Sequence, residues 1–366
     1  MRFVRPTVLS ALVIVTSGFA LLASTGCAER YEPVIVSREA LGTIVTVTAY
    51  GSDGDAVEAA VGDAFAAMDE VETALSAYVT DDADTGRSSA ATGTPVTIAQ
   101  FNRDPYSWQP LAADAITILD RLVTLGVTES FSPTLLNVIA LYDFGGTGRV
   151  PSEDEIDSAL RTTRMLSMRE TTAGVEARFS RPEKSATFLS PPPGLDLSGA
   201  AKGLGLDHAA DVLKASGDVD AALLTSGSTT VAFGDKPDKT PWRIGIEDPR
   251  DTEAVIAVVE VRGEVTVSTS GDYQQYFERE GVRYHHILDP ETGLPAPGIR
   301  SLSVVGAADG LDSDILSTAL FVLGQARAED YARQHELGLV LVDDSGEIRV
   351  LEGPGDAQWR IVLDER

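Results

Sequence analysis

Asp314 and Thr318 stand four residues apart in Asp-Ile-Leu-Ser-Thr-Ala-Leu-Phe-Val-Leu-Gly (314–324). Ile315, Leu316, Ala319, Leu320 and Leu323 recur there at three- and four-residue spacing, the pattern of a helix with an apolar stripe. On such a helix the carboxylate and the hydroxyl share one side, a turn apart. Both are hard oxygen ligands suited to Mg²⁺, which needs only one or two protein carboxylates when a phosphate supplies the rest. Asp-Leu-Ser-Gly-Ala-Ala-Lys-Gly (196–203) offers complementary chemistry. It follows Pro191-Pro192-Pro193-Gly194 and opens a helix, whose first amides are free and whose dipole end is positive. Gly199 lets backbone approach a ligand closely, and Lys202 adds a point charge for a phosphate. Lysine, phosphate and divalent ion together form a set that can handle a pyrophosphate, neutralising its charge and polarising phosphorus for attack.

His285 and His286 are two of four histidines and precede the turn Ile-Leu-Asp-Pro-Glu-Thr-Gly (287–293). For His285 the expected role is structural. His286 is open between general base, hydrogen-bond donor to a phosphate, and turn residue.

The elements that must position these groups follow from periodicity. Thr43 to Tyr50 alternates and is β-branched, which predicts a strand. Asp55 to Leu75, Leu111 to Leu125, Ala200 to Ala215 and Asp314 to Gly324 predict helices. Ala221 to Phe233 predicts a buried strand pair or strand-turn. Trp242 to Ile246, Ala254 to Val261 and Val265 to Thr269 predict strands, and Leu339–Val342 with Ile348–Leu351 a closing hairpin. Asp81 to Pro95 is small and polar, a surface insertion. Strands cluster and helices do not alternate regularly with them, so the expected class is α+β.

Arg2 and Arg5 followed by an apolar run from Val8 to Ala23 predict a secretory signal over residues 1–26. Cys27 is the chain's only cysteine and follows Ser24-Thr25-Gly26, which resembles a bacterial lipobox with Ser24 where a large aliphatic residue is usual. The expectation is a lipidated Cys27, a tether over 27–38 and one catalytic region over 39–366, exported and held at the periplasmic side of a membrane by its lipid. No other apolar segment approaches the ~20 residues a span requires. A net charge of −27 argues against nucleic acid as a partner, which needs a basic footprint. It argues equally against attraction to anionic lipid, leaving the anchor alone to hold the membrane. A hydrophobic fraction of 43% suffices for one large domain or two packed lobes without disulfides.

Five segments, in order, resemble the ApbE family: 196–203, Lys-Pro-Asp…Pro-Trp-Arg-Ile-Gly-Ile-Glu-Asp-Pro-Arg (236–250), Ser-Thr-Ser-Gly-Asp-Tyr (268–273), His-His-Ile-Leu-Asp-Pro-Glu-Thr-Gly (285–293) and 314–324. The resemblance runs from Leu41-Gly42-Thr43 to the C-terminus. It implies a T-fold of α+β class with flavin bound between two packed lobes, and an FAD:protein FMN transferase that is a periplasmic lipoprotein. It implies Mg²⁺ held by the Gly199 carbonyl, Asp314 and Thr318. Leu41, Tyr78, Ser130, Phe131, Ser132, Asp196, Lys202 and the backbone around Leu288 fall on its flavin-nucleotide positions; in the catalytic step Lys202 is expected to stabilise charge on the pyrophosphate, and His286 to orient a phosphate or assist proton transfer. The acceptors it implies are subunits of membrane redox complexes of the Na⁺-translocating NADH:quinone reductase or Rnf type.

The chain also departs from the family pattern. Leu41 stands for a methionine, Ser132 for an aspartate near adenine or ribose, and Ser226-Gly227-Ser228-Thr229 for Gly-Gly-Asp. Three functions stay open at this point. FMN passes to a Ser or Thr hydroxyl of an acceptor and AMP leaves, or water takes the acceptor's place in an FAD pyrophosphatase, or the chain binds flavin without turnover.

Overall fold

Two β-strands and a helix come first among the described residues: β1 (Val34–Ala40), β2 (Thr43–Tyr50) and α1 (Gly54–Leu75). The computed structural model describes residues 32–77, 94–172, 174–181, 191–355 and 357–364. Cys27, the leader, Tyr78 and most of the insertion expected at 81–95 lie outside them. A second run holds α2 (Ile98–Arg103), β3 (Gln109–Pro110), α3 (Ala113–Thr124), α4 (Leu136–Tyr142), α5 (Glu153–Thr163), β4 (Leu166–Thr171) and β5 (Gly174–Phe179). After the proline connector come α6 (Ser198–Ser216), β6 (Ala221–Ser226), β7 (Thr229–Phe233), β8 (Trp242–Asp248), β9 (Asp251–Val261) and β10 (Val265–Gly271). The chain closes with β11 (Tyr276–Arg279), β12 (Val282–His285), β13 (Ile299–Val305), α7 (Gly310–Leu323), α8 (Gln325–Gln334), β14 (Gly338–Asp343), β15 (Ile348–Leu351) and β16 (Trp359–Leu363).

The main sheet has eight strands in the order β1-β2-β6-β7-β10-β13-β14-β15, every neighbouring pair antiparallel. Both faces are covered, so the central strands are buried almost throughout instead of alternating, Thr229–Phe233 at every residue. Val45, Val47 and Ala49 with Val231 and Phe233 pack against α1 and α6. Leu302, Val304, Leu339 and Leu341 pack with Ile315, Leu316 and Leu320 of α7. The opposite face, carrying Ala232, Val265, Val267, Val305, Val340 and Val342, packs on a small sheet of order β16-β9-β8. The result is helices, main sheet and small sheet in three layers, an α+β architecture. Tyr31–Arg366 cluster as one unit, so the expected lobes are halves of a single body.

One boundary moves. The sheet already begins inside the stretch expected as tether, because Val34–Ala40 pairs residue for residue with Thr43–Ala49. Leu41 and Gly42 form the two-residue connection, with φ of 53° and 72° respectively, the left-handed pair that a tight hairpin of this twist requires. The last apolar helix also starts earlier than expected. Asp309 accepts from the Asp312 amide at 2.7 Å and fixes its first turn at Gly310, so Asp314 sits one turn in.

Candidate functional site

A cavity of about 990 Å³ opens where the main sheet ends at the β6–β7 turn. Its lining comes from both faces of the sheet: Ser228, Ser270, Asp314 and Thr318 from the helix side, and Leu223, Thr225, Thr230 and Val267 from the side of β8. All the described residues singled out from sequence meet here. Lys202, His286, Gly199, Asp314 and Thr318 line the cavity, as do Leu41, Ser130, Phe131, Ser132, Asp196 and Leu288.

Asp314 is buried among donors. Its Oδ1 accepts from the Thr229 hydroxyl at 3.0 Å and from Ser268 at 3.4 Å, and Lys202 Nζ stands 3.5 Å from it. Its Oδ2 accepts from the Gly203 amide at 2.9 Å. In a regular helix that amide would close on the Gly199 carbonyl. Gly199 itself stands beside the cavity. Thr229 and Ser268 face each other across β7 and β10, a register that puts both hydroxyls beneath α7. The chain of hydroxyls continues from Ser268 through Ser317 to Ser270, which lies 3.0 Å from Thr318 Oγ1. The two oxygen donors expected from spacing are thereby joined through buried side chains.

This donor set suits Mg²⁺: one carboxylate, one hydroxyl and a carbonyl, all oxygen, with room in front. Among the described residues no three His, Cys, Asp or Glu side chains converge on one point. An ion held here would complete its shell with substrate phosphate oxygens and water.

The segment that carries Gly199 is held from outside. The Asn102 side chain exchanges two hydrogen bonds with the Leu195 backbone, donating at 2.8 Å and accepting at 2.7 Å, as a neighbouring strand would. The Asp196 amide donates to the Pro133 carbonyl at 2.8 Å, and the Asp196 carboxylate accepts from the Ser198 amide at 2.9 Å. Phe131 lies across Gly199, where a Cβ would fall 3.1 Å from the ring. The Ser130 hydroxyl donates to the Val127 carbonyl at 3.3 Å, and Ser132 bonds Thr134 at 3.0 Å, so both serve their own turn in the first instance.

Leu41, in its left-handed turn, donates its amide to Glu72 Oε2 at 2.7 Å and extends across Gly205 into the cavity. A Cβ at position 205 would lie 2.6 Å from Leu41 Cδ1, so only glycine admits this packing.

The adjacent histidines divide. His285 is buried, its Nε2 bonded to the Ala296 carbonyl at 3.1 Å and its ring edge-on to Phe321. Burial pushes it down to about 4, so it is a neutral structural residue. His286 faces the cavity with Nδ1 3.2 Å from the Gln275 carbonyl. A carbonyl only accepts, so Nδ1 carries the proton and Nε2 keeps a lone pair. Burial, reinforced by the Lys202 charge and opposed by Gln275 and Asp196, holds this imidazole below its ordinary range. A ring fixed in this tautomer is a base.

Sequence reasoning passed over the opposite wall. Arg243, Gly245 and Glu247 project from β8 into the cavity, with Tyr273, Gln274 and Gln275 beyond. Alternation in Trp-Arg-Ile-Gly-Ile-Glu-Asp would have put the three on one face. Burial raises Tyr273 to about 12, leaving it a hydrogen-bonding phenol at neutral pH. Asn102 carried no comparable signal, since its partner lies far along the chain.

Known proteins share this architecture. The flavinyl transferase ApbE of Pseudomonas stutzeri, in its apo form, superposes with a TM-score of 0.71 and is 29% identical, covering 89% of this chain and 96% of its own. The ApbE protein of Thermotoga maritima gives 0.70 at 26% identity, covering 87% and 96%. The FAD:protein FMN transferase of Vibrio cholerae is 28% identical across 88% of this chain and 91% of its own. That of Treponema pallidum is 31% identical across 79% and 78%. The sequence model of the ApbE family matches residues 41–341, and the chain belongs to that family.

Proposed function

We infer that this chain is an FAD:protein FMN transferase that moves FMN from FAD to a hydroxyl of an acceptor protein. The observation that carries the reading is the meeting of Lys202, His286, Asp314 and Thr318 in one cavity of about 990 Å³. The relatives' recorded activity supports it.

The acceptor's Ser or Thr oxygen attacks the FMN phosphorus, and the bond from that phosphorus to the bridging oxygen breaks. AMP leaves with the electron pair, and the acceptor keeps FMN through a phosphoester. His286 Nε2 takes the hydroxyl proton, since its other nitrogen is committed to Gln275. Lys202, 3.5 Å from Asp314, would stabilise the charge that develops on the pyrophosphate. Asp314, Thr318 and the Gly199 carbonyl would hold Mg²⁺, which supplies charge neutralisation to the phosphates when bound.

The same reading puts the enzyme outside the cytoplasmic membrane, anchored through Cys27, and takes as acceptors the flavin subunits of membrane redox complexes of the Na⁺-translocating NADH:quinone reductase or Rnf type. The arginine-flanked apolar leader supports export. No helix among the described residues is long and apolar enough to cross a membrane.

The test is incubation of purified protein with FAD, Mg²⁺ and an acceptor domain. A flavin-fluorescent acceptor band and stoichiometric AMP are expected. FMN and AMP without labelled acceptor would establish the pyrophosphatase instead, and FAD binding without AMP would end both catalytic readings.

A further inference from the structure

On the reading that Asp314 and Thr318 bind a divalent ion, a second carboxylate, Asp207, holds the cation-binding face together from behind. Asp207 lies on α6 one turn beyond Gly203, on the side turned to α7. Its two carboxylate oxygens accept from the first two amides of α7: Oδ1 from Gly310 at 2.7 Å and Oδ2 from Leu311 at 2.8 Å. Those amides have no partner within their own helix, and the dipole there favours an anion. The helix's own cap, Asp309, serves a different amide, that of Asp312.

The link is returned one turn further on. Asp314 of α7 accepts from the Gly203 amide of α6 at 2.9 Å. Each helix thus offers a carboxylate to backbone amides of the other. Between the two links the backbones touch. A Cβ on Gly203 would land on the Gly310 carbonyl oxygen, and a Cβ on Gly310 would come within 2.8 Å of both the Gly203 carbonyl oxygen and Asp207 Oδ1. Neither helix can slide without breaking both carboxylate links, and a slide would part Gly199 and Lys202 on α6 from Asp314 and Thr318 on α7.

We propose that Asp207 is a positioning residue of the cation site, a clamp that sets the register of α7 against α6 and so brings the Gly199 carbonyl and Asp314 to one point. It touches neither metal nor flavin. Asparagine at this position keeps the shape but has one acceptor, and its amide group would face an N–H of α7. The clamp would lose a bond and gain a repulsion.

The experiment uses Mn²⁺ in place of Mg²⁺, with bound ion counted by loss of the free-ion electron paramagnetic resonance signal, with and without FAD. Asp207→Asn is expected to weaken Mn²⁺ binding about ten- to a hundredfold, as for other residues that orient ligands from behind. Metal-free FAD binding, followed by flavin fluorescence, should stay at the wild-type value. Asp309→Ala removes the helix's own cap but leaves both Asp207 bonds, and should bind Mn²⁺ nearly as wild type does. If Asp207→Asn binds Mn²⁺ like wild type, the clamp is overturned. It is overturned too if Asp309→Ala loses as much affinity, which would mean that any weakening of the helix start suffices. Should Asp207→Asn fail to fold cooperatively, Gly310→Ala opens the clamp with the carboxylate in place, and wild-type Mn²⁺ affinity there rejects the proposal. A wild-type protein that takes up no Mn²⁺ even with FAD present would instead remove the cation site itself, and the clamp's role with it.

Discussion

The two walls of the cavity are built in opposite ways. On the α6–α7 wall polar groups are tied to partners from distant segments: Gly203 to Asp314, Asp207 to Gly310, Ser270 to Thr318. On the β8 wall, Arg243, Gly245 and Glu247 are the exposed residues of an alternating strand, and Arg243 pairs with Glu260 on the neighbouring strand. A group in the first wall cannot move alone, because shifting it strands a buried partner. A group in the second can change its rotamer at little cost. Phosphorus chemistry needs fixed charges, and an acceptor protein needs a surface that accommodates it. The contrast assigns one task to each wall.

The largest loss should come from Asp314→Ala. Removing the only carboxylate of the donor set should lower kcat/KM for transfer on the order of 10³-fold, with circular dichroism unchanged. His286→Gln should cost about 10²- to 10³-fold in kcat. Its pH profile sharpens the point: wild-type activity should decline on the acid side with a midpoint below the ordinary imidazole value of 6.5, and that limb should vanish in the variant. A wild-type acid limb above that value would contradict the burial of this ring.

Two intermediate effects are on stability. Gly203→Ala must push α6 from the Gly310 carbonyl and should lower unfolding free energy by about 1–3 kcal/mol in urea. The neighbouring histidine gives a pH test. His285 is held near 4 in the folded state against 6.5 when unfolded, so below 6.5 the unfolded chain takes up a proton that the folded chain refuses. Its stabilising contribution is complete above 6.5 and disappears as pH falls toward 4. The stability advantage of wild type over His285→Gln should therefore shrink on acidification, by at most about 3 kcal/mol, in paired urea titrations. The smallest effect belongs to the other wall: Arg243→Ala should change stability by no more than about 0.5 kcal/mol and leave kcat unaltered. A large fall in kcat there would erase the contrast between the walls.

Local pattern accounts for what was legible in the chain. The Asp314/Thr318 pair, the helix opening near Gly199 and most of the main sheet follow from apolar period and from turn residues. β1 is not separable from a tether by pattern, because Val-Ile-Val-Ser-Arg-Glu-Ala lies at an exposed edge of the sheet. Helix α5 carries a capping box of Ser152 and Glu155 at its start, but its apolar residues are too few to give a helical period. The β11–β12 hairpin turns on Glu280 and Gly281, both with positive φ, which a glutamate does not advertise. Asn102, Asp207 and the hydroxyl chain are beyond reach for a different reason. Their partners lie from about forty to about a hundred residues away, and no periodicity records such a crossing.

The Gly203 amide has a consequence of its own. Its proton is shielded by a carboxylate of another helix, so its release into water reports on α6 and α7 separating and not on α6 fraying. In a deuterium exchange experiment this one site would act as a gauge of the gap between the helices. Its rate should slow when nucleotide and divalent ion draw them together, while amides nearer the end of α6, with no tie to α7, keep their pace.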